Sequence, residues 1–296
     1  MFSLSYLRGK LAQFNTVLLL WKWYDYLFFY LLIPAILAAF YVLPDDLKDY
    51  LVLWPSNPTF VSLLFSSYVH VDFNHFISNL STYLLITFFL FNFETNRRLF
   101  YQASSMLLLL LPILSSLLII CFLPALKTPG IYVLGFSLIT SGFAGYSIYA
   151  IFNYLKNVLK IPLNSSFILL IFSLNNMIIL PNLKISSTEQ FIMLSAFTLL
   201  LFIFIYSIYA NRLGIKQMVS MLTFNRIKGL FKGGFCVSVY RLLLISLAIK
   251  YLFYLPVLVP SEILIGKGVL NIFSHYIGYT FGTFTPIIIR LLKCNT

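Results

Sequence analysis

The chain is 296 residues long, 60% hydrophobic and 18% aromatic, with only 9% charged residues, and its mean hydropathy is +0.94. Such a composition excludes a soluble globular domain and describes an all-α polytopic membrane protein, its partner the lipid bilayer. The net charge of +12 does not point to nucleic acid, because Lys and Arg sit in short loops between apolar runs and no contiguous basic stretch with interleaved aromatics occurs.

Runs long enough to cross about 30 Å of hydrocarbon follow one another at 24–43, 74–93, 102–124, 132–154, 162–181, 190–210, 237–258 and 268–290. The residues ahead of the first run carry Arg8 and Lys10 and lack a cleavage-site pattern, so they read as an amphipathic lead-in, with Trp21, Trp23 and Tyr24 at the interface. The first and second runs are separated by a long outer segment, 44–73. The fifth run carries Asn175 and Asn176 near its middle and the seventh carries Lys250. The longest polar interval, 211–234, reads as a basic cytoplasmic loop with an amphipathic helix on the membrane surface. No soluble domain interrupts the runs, so 1–296 reads as one transmembrane domain.

Loop charge sets the orientation, since loops rich in Lys and Arg stay inside. With both termini cytoplasmic, fourteen Lys and Arg fall inside, from Arg8 and Lys10 to Arg290 and Lys293, against four outside, Lys48, Lys127, Lys184 and Lys267. The expected location is the plasma membrane. Cys121, Cys236 and Cys294 have no spacing suited to a zinc site or a disulfide framework, and no metal or organic cofactor is implied.

Polar side chains inside the runs are costly in lipid and mark function. His75 and Asn79 are one helical turn apart on one face of the second run. Ser137 enters the fourth run from outside, and His275 enters the eighth from the same side. All four reach a similar depth, a few turns below the outer surface. A serine needs an adjacent base to become nucleophilic, and a tetrahedral intermediate needs donors aimed at its oxyanion. An imidazole and an asparagine amide supply such donors. Ser137, Ser141 and Gly145 recur every four residues, and Gly278 and Gly282 follow His275; small faces of this kind let two membrane helices approach closely.

The chain resembles the rhomboid intramembrane serine proteases. The likeness lies in His70, His75 and Asn79 at their spacing at the top of and within the second run, in Gly135 and Ser137 with Gly142 and Gly145 downstream, and in His275, Gly278 and Gly282 in the last run. It implies a rhomboid-like bundle, a six-helix core with two extra transmembrane helices. It also implies Ser137 as nucleophile, His275 as its base, His75 and Asn79 as oxyanion-hole donors, and His70 as a structural histidine. The segment 44–73 matches the family's membrane-embedded loop, the seventh run its substrate-admitting helix, and the expected activity is cleavage of transmembrane protein substrates near the outer face.

Three departures accompany the likeness. Leu138 follows Ser137 where the family has glycine, Trp54 is followed by Pro55 where the family has a tryptophan–arginine pair, and three runs instead of one separate Ser137 from His275. They motivate an alternative, a catalytically inactive rhomboid-like protein that binds client helices. Ser141, one turn deeper on the same face and followed by Gly142, is the fallback nucleophile. A small-solute transporter ranks lower, because the runs hold no paired acids and no inverted repeat.

Overall fold

A chain this apolar must satisfy its backbone polar groups internally, because lipid offers no partner for a free N–H or C=O. The computed structural model describes residues 16–122, 132–179, 190–221, 235–254, 264–265, 268–269 and 272–294, and these are helical almost throughout. The helices are α1 (Trp23–Tyr41), α2 (Asp45–Leu51), α3 (Phe60–Phe65), α4 (Phe73–Phe93), α5 (Arg97–Cys121) and α6 (Ser137–Asn157). They continue as α7 (Ser166–Ile179), α8 (Gln190–Ala210), α9 (Arg212–Met221), α10 (Phe235–Leu252) and α11 (Ile272–Cys294). A two-residue antiparallel ladder, β1 (Leu264–Ile265) with β2 (Gly268–Val269), precedes α11.

Among the described residues three helices, α1, α4 and α5, are long and apolar enough to cross a membrane, and α8 with α9 forms a fourth candidate bent by 70°. The protein is therefore a helical, membrane-embedded one. Each of the eight predicted runs carries a helix, but two boundaries differ from expectation. The fourth run begins as extended chain, because Leu53 and Val133 exchange backbone hydrogen bonds of 3.2 and 2.9 Å, and helix starts only at Ser137. The fifth yields only 14 residues, about 21 Å at the usual rise, because Asn164 accepts the Ser166 N–H and stops the helix from extending backwards through Pro162. The lead-in before residue 16, and 222–234 of the expected cytoplasmic loop, lie outside the described residues.

The chain divides into two compact units, Met1–Tyr146 with Glu262–Thr296, and Ser147–Ser261. In the first, one end is filled by aromatic rings: Trp21 stacks on Phe91 at 4.1 Å and meets Phe100 edge-on, and its indole N–H donates to the Phe91 carbonyl. Asp25, wholly buried, is held by Arg97 at 2.6 Å and by the Tyr101 hydroxyl. At the opposite end the segment 44–73 folds as α2, α3 and a short 3-10 turn. It is anchored by the Leu53–Val133 bridge, by the Tyr68 hydroxyl donating to the Leu108 carbonyl, and by Ser116 donating to the Leu63 carbonyl.

In the second unit α7 packs along α8. Asn211, at the end of α8, joins the two through Ser166 Oγ at 2.9 Å and the Asn164 N–H at 2.7 Å. Asn175, mid-helix in α7, donates to the Leu252 carbonyl of α10. These are the polar cross-links that hold apolar helices together where hydrophobicity gives no preference for a neighbour.

Candidate active site

The small faces of α6 and α11 pack against each other at backbone distance. A Cβ on Gly282 would overlap the Gly142 carbonyl and stand 2.9 Å from the Gly142 Cα, and one on Gly145 would stand 2.8 Å from the Thr283 N. A Cβ on Gly278 would overlap the Leu138 carbonyl and stand 3.2 Å from the Gly142 N. Only glycine allows this approach. The contact also fixes the register of the two helices: with Gly278 seated between Leu138 and Gly142, His275 one turn earlier lies beside Ser141.

Ser141 Oγ and His275 Nδ1 are 3.0 Å apart. The expected nucleophile Ser137 is instead the first residue of α6, half-buried, one turn above. The structure thus brings Ser141, not Ser137, to the imidazole, because the glycine contacts set the helix register one turn away from the sequence expectation. Ser141 itself is fully buried. With Nδ1 facing the hydroxyl, the accepting tautomer of His275 carries its proton on Nε2.

The second cluster forms at the start of α4. Asp72 caps the helix by accepting the His75 N–H at 2.8 Å, the usual role of an aspartate at this position. The His75 ring lies against Gly135, where a Cβ would meet it at 2.8 Å from Cε1 and 3.0 Å from Nε2, with Asn79 Nδ2 3.9 Å away. Gly135 has φ +110°, a conformation that suits glycine, and its N–H donates to the Ser66 carbonyl. The backbone six residues before Ser141 is therefore seated on His75 and Asn79.

His70 is fully buried, and its Nε2 lies 3.0 Å from Asn79 Nδ2, so it accepts one of the two amide hydrogens and leaves the other for a ligand. Its ring meets that of His75 edge-on at 5.1 Å. Burial, aided by the nearby His75, pushes the His70 pKa down to about 4, against the opposing pull of the Tyr68 backbone and Asp72. A neutral His70 is what lets its ring accept from Asn79.

The expected site residues His70, His75, Asn79, Gly135, Gly142, Gly145, His275, Gly278 and Gly282 all belong to the first unit. Two features went unread in the sequence: the His70–Asn79 bond and the support of His75 by Gly135. The visible signal was Gly142 directly after Ser141, with Ser141 and Gly145 in step with Gly278 and Gly282. Among the described residues no three His, Cys, Asp or Glu stand together as a metal-holding group. Compared with known proteins, the chain matches no family model, no curated protein and no solved structure.

Proposed function

We propose that the protein is a rhomboid-type intramembrane serine endopeptidase in which Ser141 is the nucleophile and His275 its general base. The observation that carries this reading is the 3.0 Å contact between Ser141 Oγ and His275 Nδ1. A hydroxyl and an imidazole on separate helices at hydrogen-bond distance form the minimal unit of acyl transfer. Taking Ser141 as the nucleophile also removes one departure from the family pattern, because the residue that follows it is Gly142.

In the proposed reaction His275 takes the Ser141 hydroxyl proton while Oγ bonds to the scissile carbonyl carbon. The developing oxyanion is met by the His75 ring N–H and the free amide hydrogen of Asn79. Collapse breaks the C–N bond, and the imidazolium returns its proton to the leaving amine. Water, deprotonated by His275, then releases the acyl group from Ser141. The substrate is a transmembrane helix that must unwind locally, since a helical peptide bond is shielded from attack.

The test is labelling of detergent-purified protein with a fluorophosphonate, alongside cleavage of a fluorogenic transmembrane reporter. Labelling and cleavage that disappear in Ser141→Ala and in His275→Ala support the proposal. A folded wild type that neither labels nor cleaves defeats it and favours a client-binding, non-catalytic protein.

A further inference from the structure

At the end of the first unit remote from Ser141, α1 and α5 frame an apolar groove of about 570 Å³, lined by Tyr24, Leu27, Phe28, Leu31 and Ala35 of α1 and by Tyr101 of α5. Its volume falls within the roughly 300–1,000 Å³ typical of small-ligand sites. The groove faces outward: Leu31 is 60% exposed and Leu27 46%. The Tyr101 hydroxyl is turned inward to Asp25, so the phenol presents its ring to the groove.

One mouth of this groove is positively charged. The Arg97 guanidinium lies 4.9 Å from the Tyr24 ring and 5.2 Å from the Tyr101 ring, and its charge is answered by Asp25 at 2.6 Å. Lys22, whose backbone N–H donates to Asp25, and Arg98, which follows Arg97 in the chain, are both exposed. Further along the same end, Lys293 reaches Gln102 at 2.6 Å. Among the described residues, the acids of this end are Asp25 and Glu94, both fully buried and hydrogen-bonded. Among the described residues, neither Lys22 nor Arg98 forms an ion pair with these carboxylates.

We infer that the α1–α5 groove binds one anionic glycerophospholipid, with an acyl chain against Leu27, Leu31 and Ala35 and the phosphate on Lys22 and Arg98. The occupant follows from its surroundings: a groove open to lipid admits a chain, and basic pockets between membrane helices select acidic headgroups. The Asp25–Arg97 pair gives the site a rigid floor, since Arg97 is already fixed between two rings and a carboxylate. This inference is independent of the proteolytic reading and concerns a different end of the bundle.

Native mass spectrometry of the full chain in detergent micelles tests it, with dioleoyl-phosphatidylglycerol or dioleoyl-phosphatidylcholine titrated in. The expected result is one retained phosphatidylglycerol at concentrations where phosphatidylcholine is lost. Lys22→Gln with Arg98→Gln weakens its binding roughly tenfold or more, given the cost of removing two cations near an anionic headgroup. Ala35→Trp, which fills the groove from an exposed position, abolishes retention while the charged rim stays intact. Inorganic phosphate at millimolar concentration leaves the lipid in place, because the chain supplies part of the binding. Equal retention of both lipids, or retention unchanged in both variants, overturns the inference; so does displacement by free phosphate, which would mean an anion site without a chain.

Discussion

Ser141 Oγ stands 3.0 Å from His275 Nδ1, while Ser137 occupies the first position of the same helix. The two serines share a face and differ by one turn, so their alanine variants form a controlled pair. Ser141→Ala should lower reporter cleavage by on the order of 10⁵-fold, as loss of a nucleophile does when the rest of a catalytic set is retained. Ser137→Ala should leave cleavage within about a factor of a few of wild type, since it removes one hydroxyl outside the contact. Initial rates on the reporter decide between them. Activity that vanishes in Ser137→Ala and persists in Ser141→Ala would reverse the assignment.

How far the site could be read from the chain depends on what each residue's position is fixed by. His75 and Asn79 are separated by one turn of a single helix, so their shared face follows from periodicity alone. The pairing of a serine with His275 depends on the axial register of two helices far apart in sequence. That register is set by the Gly278–Leu138 and Gly282–Gly142 backbone contacts, and spacing along one helix does not reveal it. The His70–Asn79 bond has the same character: it needs the turn at Val71–Asp72 that folds His70 back over α4. Helix positions were legible because apolar length is a strong signal, whereas the extended start at 132–136 rests on a bridge to Leu53 eighty residues earlier.

The Asn79 amide is divided between His70 and the space beside Gly135, and this division predicts two different defects. Asn79→Ala should reduce turnover by about 10²–10³-fold with little change in KM, the signature of a lost oxyanion donor. His70→Ala leaves the amide in place but unoriented, so its loss should be smaller and should reside in kcat as well. Steady-state kinetics on both variants check this ordering. A larger loss in His70→Ala than in Asn79→Ala would mean that His70 acts on substrate directly.

Gly282 packs where any side chain would overlap the Gly142 carbonyl. Gly282→Ala should therefore force α11 away from α6, at the roughly 1–3 kcal/mol or more that overpacking a tight contact costs. Separation of the helices also lengthens the Ser141–His275 contact, so labelling should fall together with thermal stability. Ser81→Ala, at an exposed position on α4, serves as the control and should change neither. Wild-type melting temperature in Gly282→Ala would show that the helices are not in backbone contact.

The two ends of α4 carry buried groups whose titrations oppose each other. His70 has its pKa pushed down to about 4 by burial, so it is neutral in the fold at pH values where it is protonated in the unfolded chain. Its contribution is complete above about pH 6.5 and is lost as pH falls toward 4, by on the order of 3 kcal/mol. Glu94 is the reverse case: burial pushes its pKa up to about 7, against the pull of the Tyr146 hydroxyl at 2.5 Å, the Asn96 N–H and the Arg290 charge. The fold keeps it protonated where the unfolded chain would ionise it, so its contribution is complete below about pH 4.5 and is lost as pH rises toward 7. Between pH 4.5 and 6.5 the two slopes oppose each other, so removing either group should tilt the melting-temperature profile in a known direction relative to wild type. Glu94→Gln, which keeps the shape of the neutral acid, should expose the His70 slope, with stability rising from pH 4 to 6.5. His70→Leu should tilt the profile the other way, lowering stability at pH 6.5 relative to pH 4.5 when compared with wild type, and Tyr146→Phe in that background should move the Glu94 midpoint upward because the bond favouring the carboxylate is gone. Parallel profiles in wild type, Glu94→Gln and His70→Leu would show that neither group changes its proton affinity on folding.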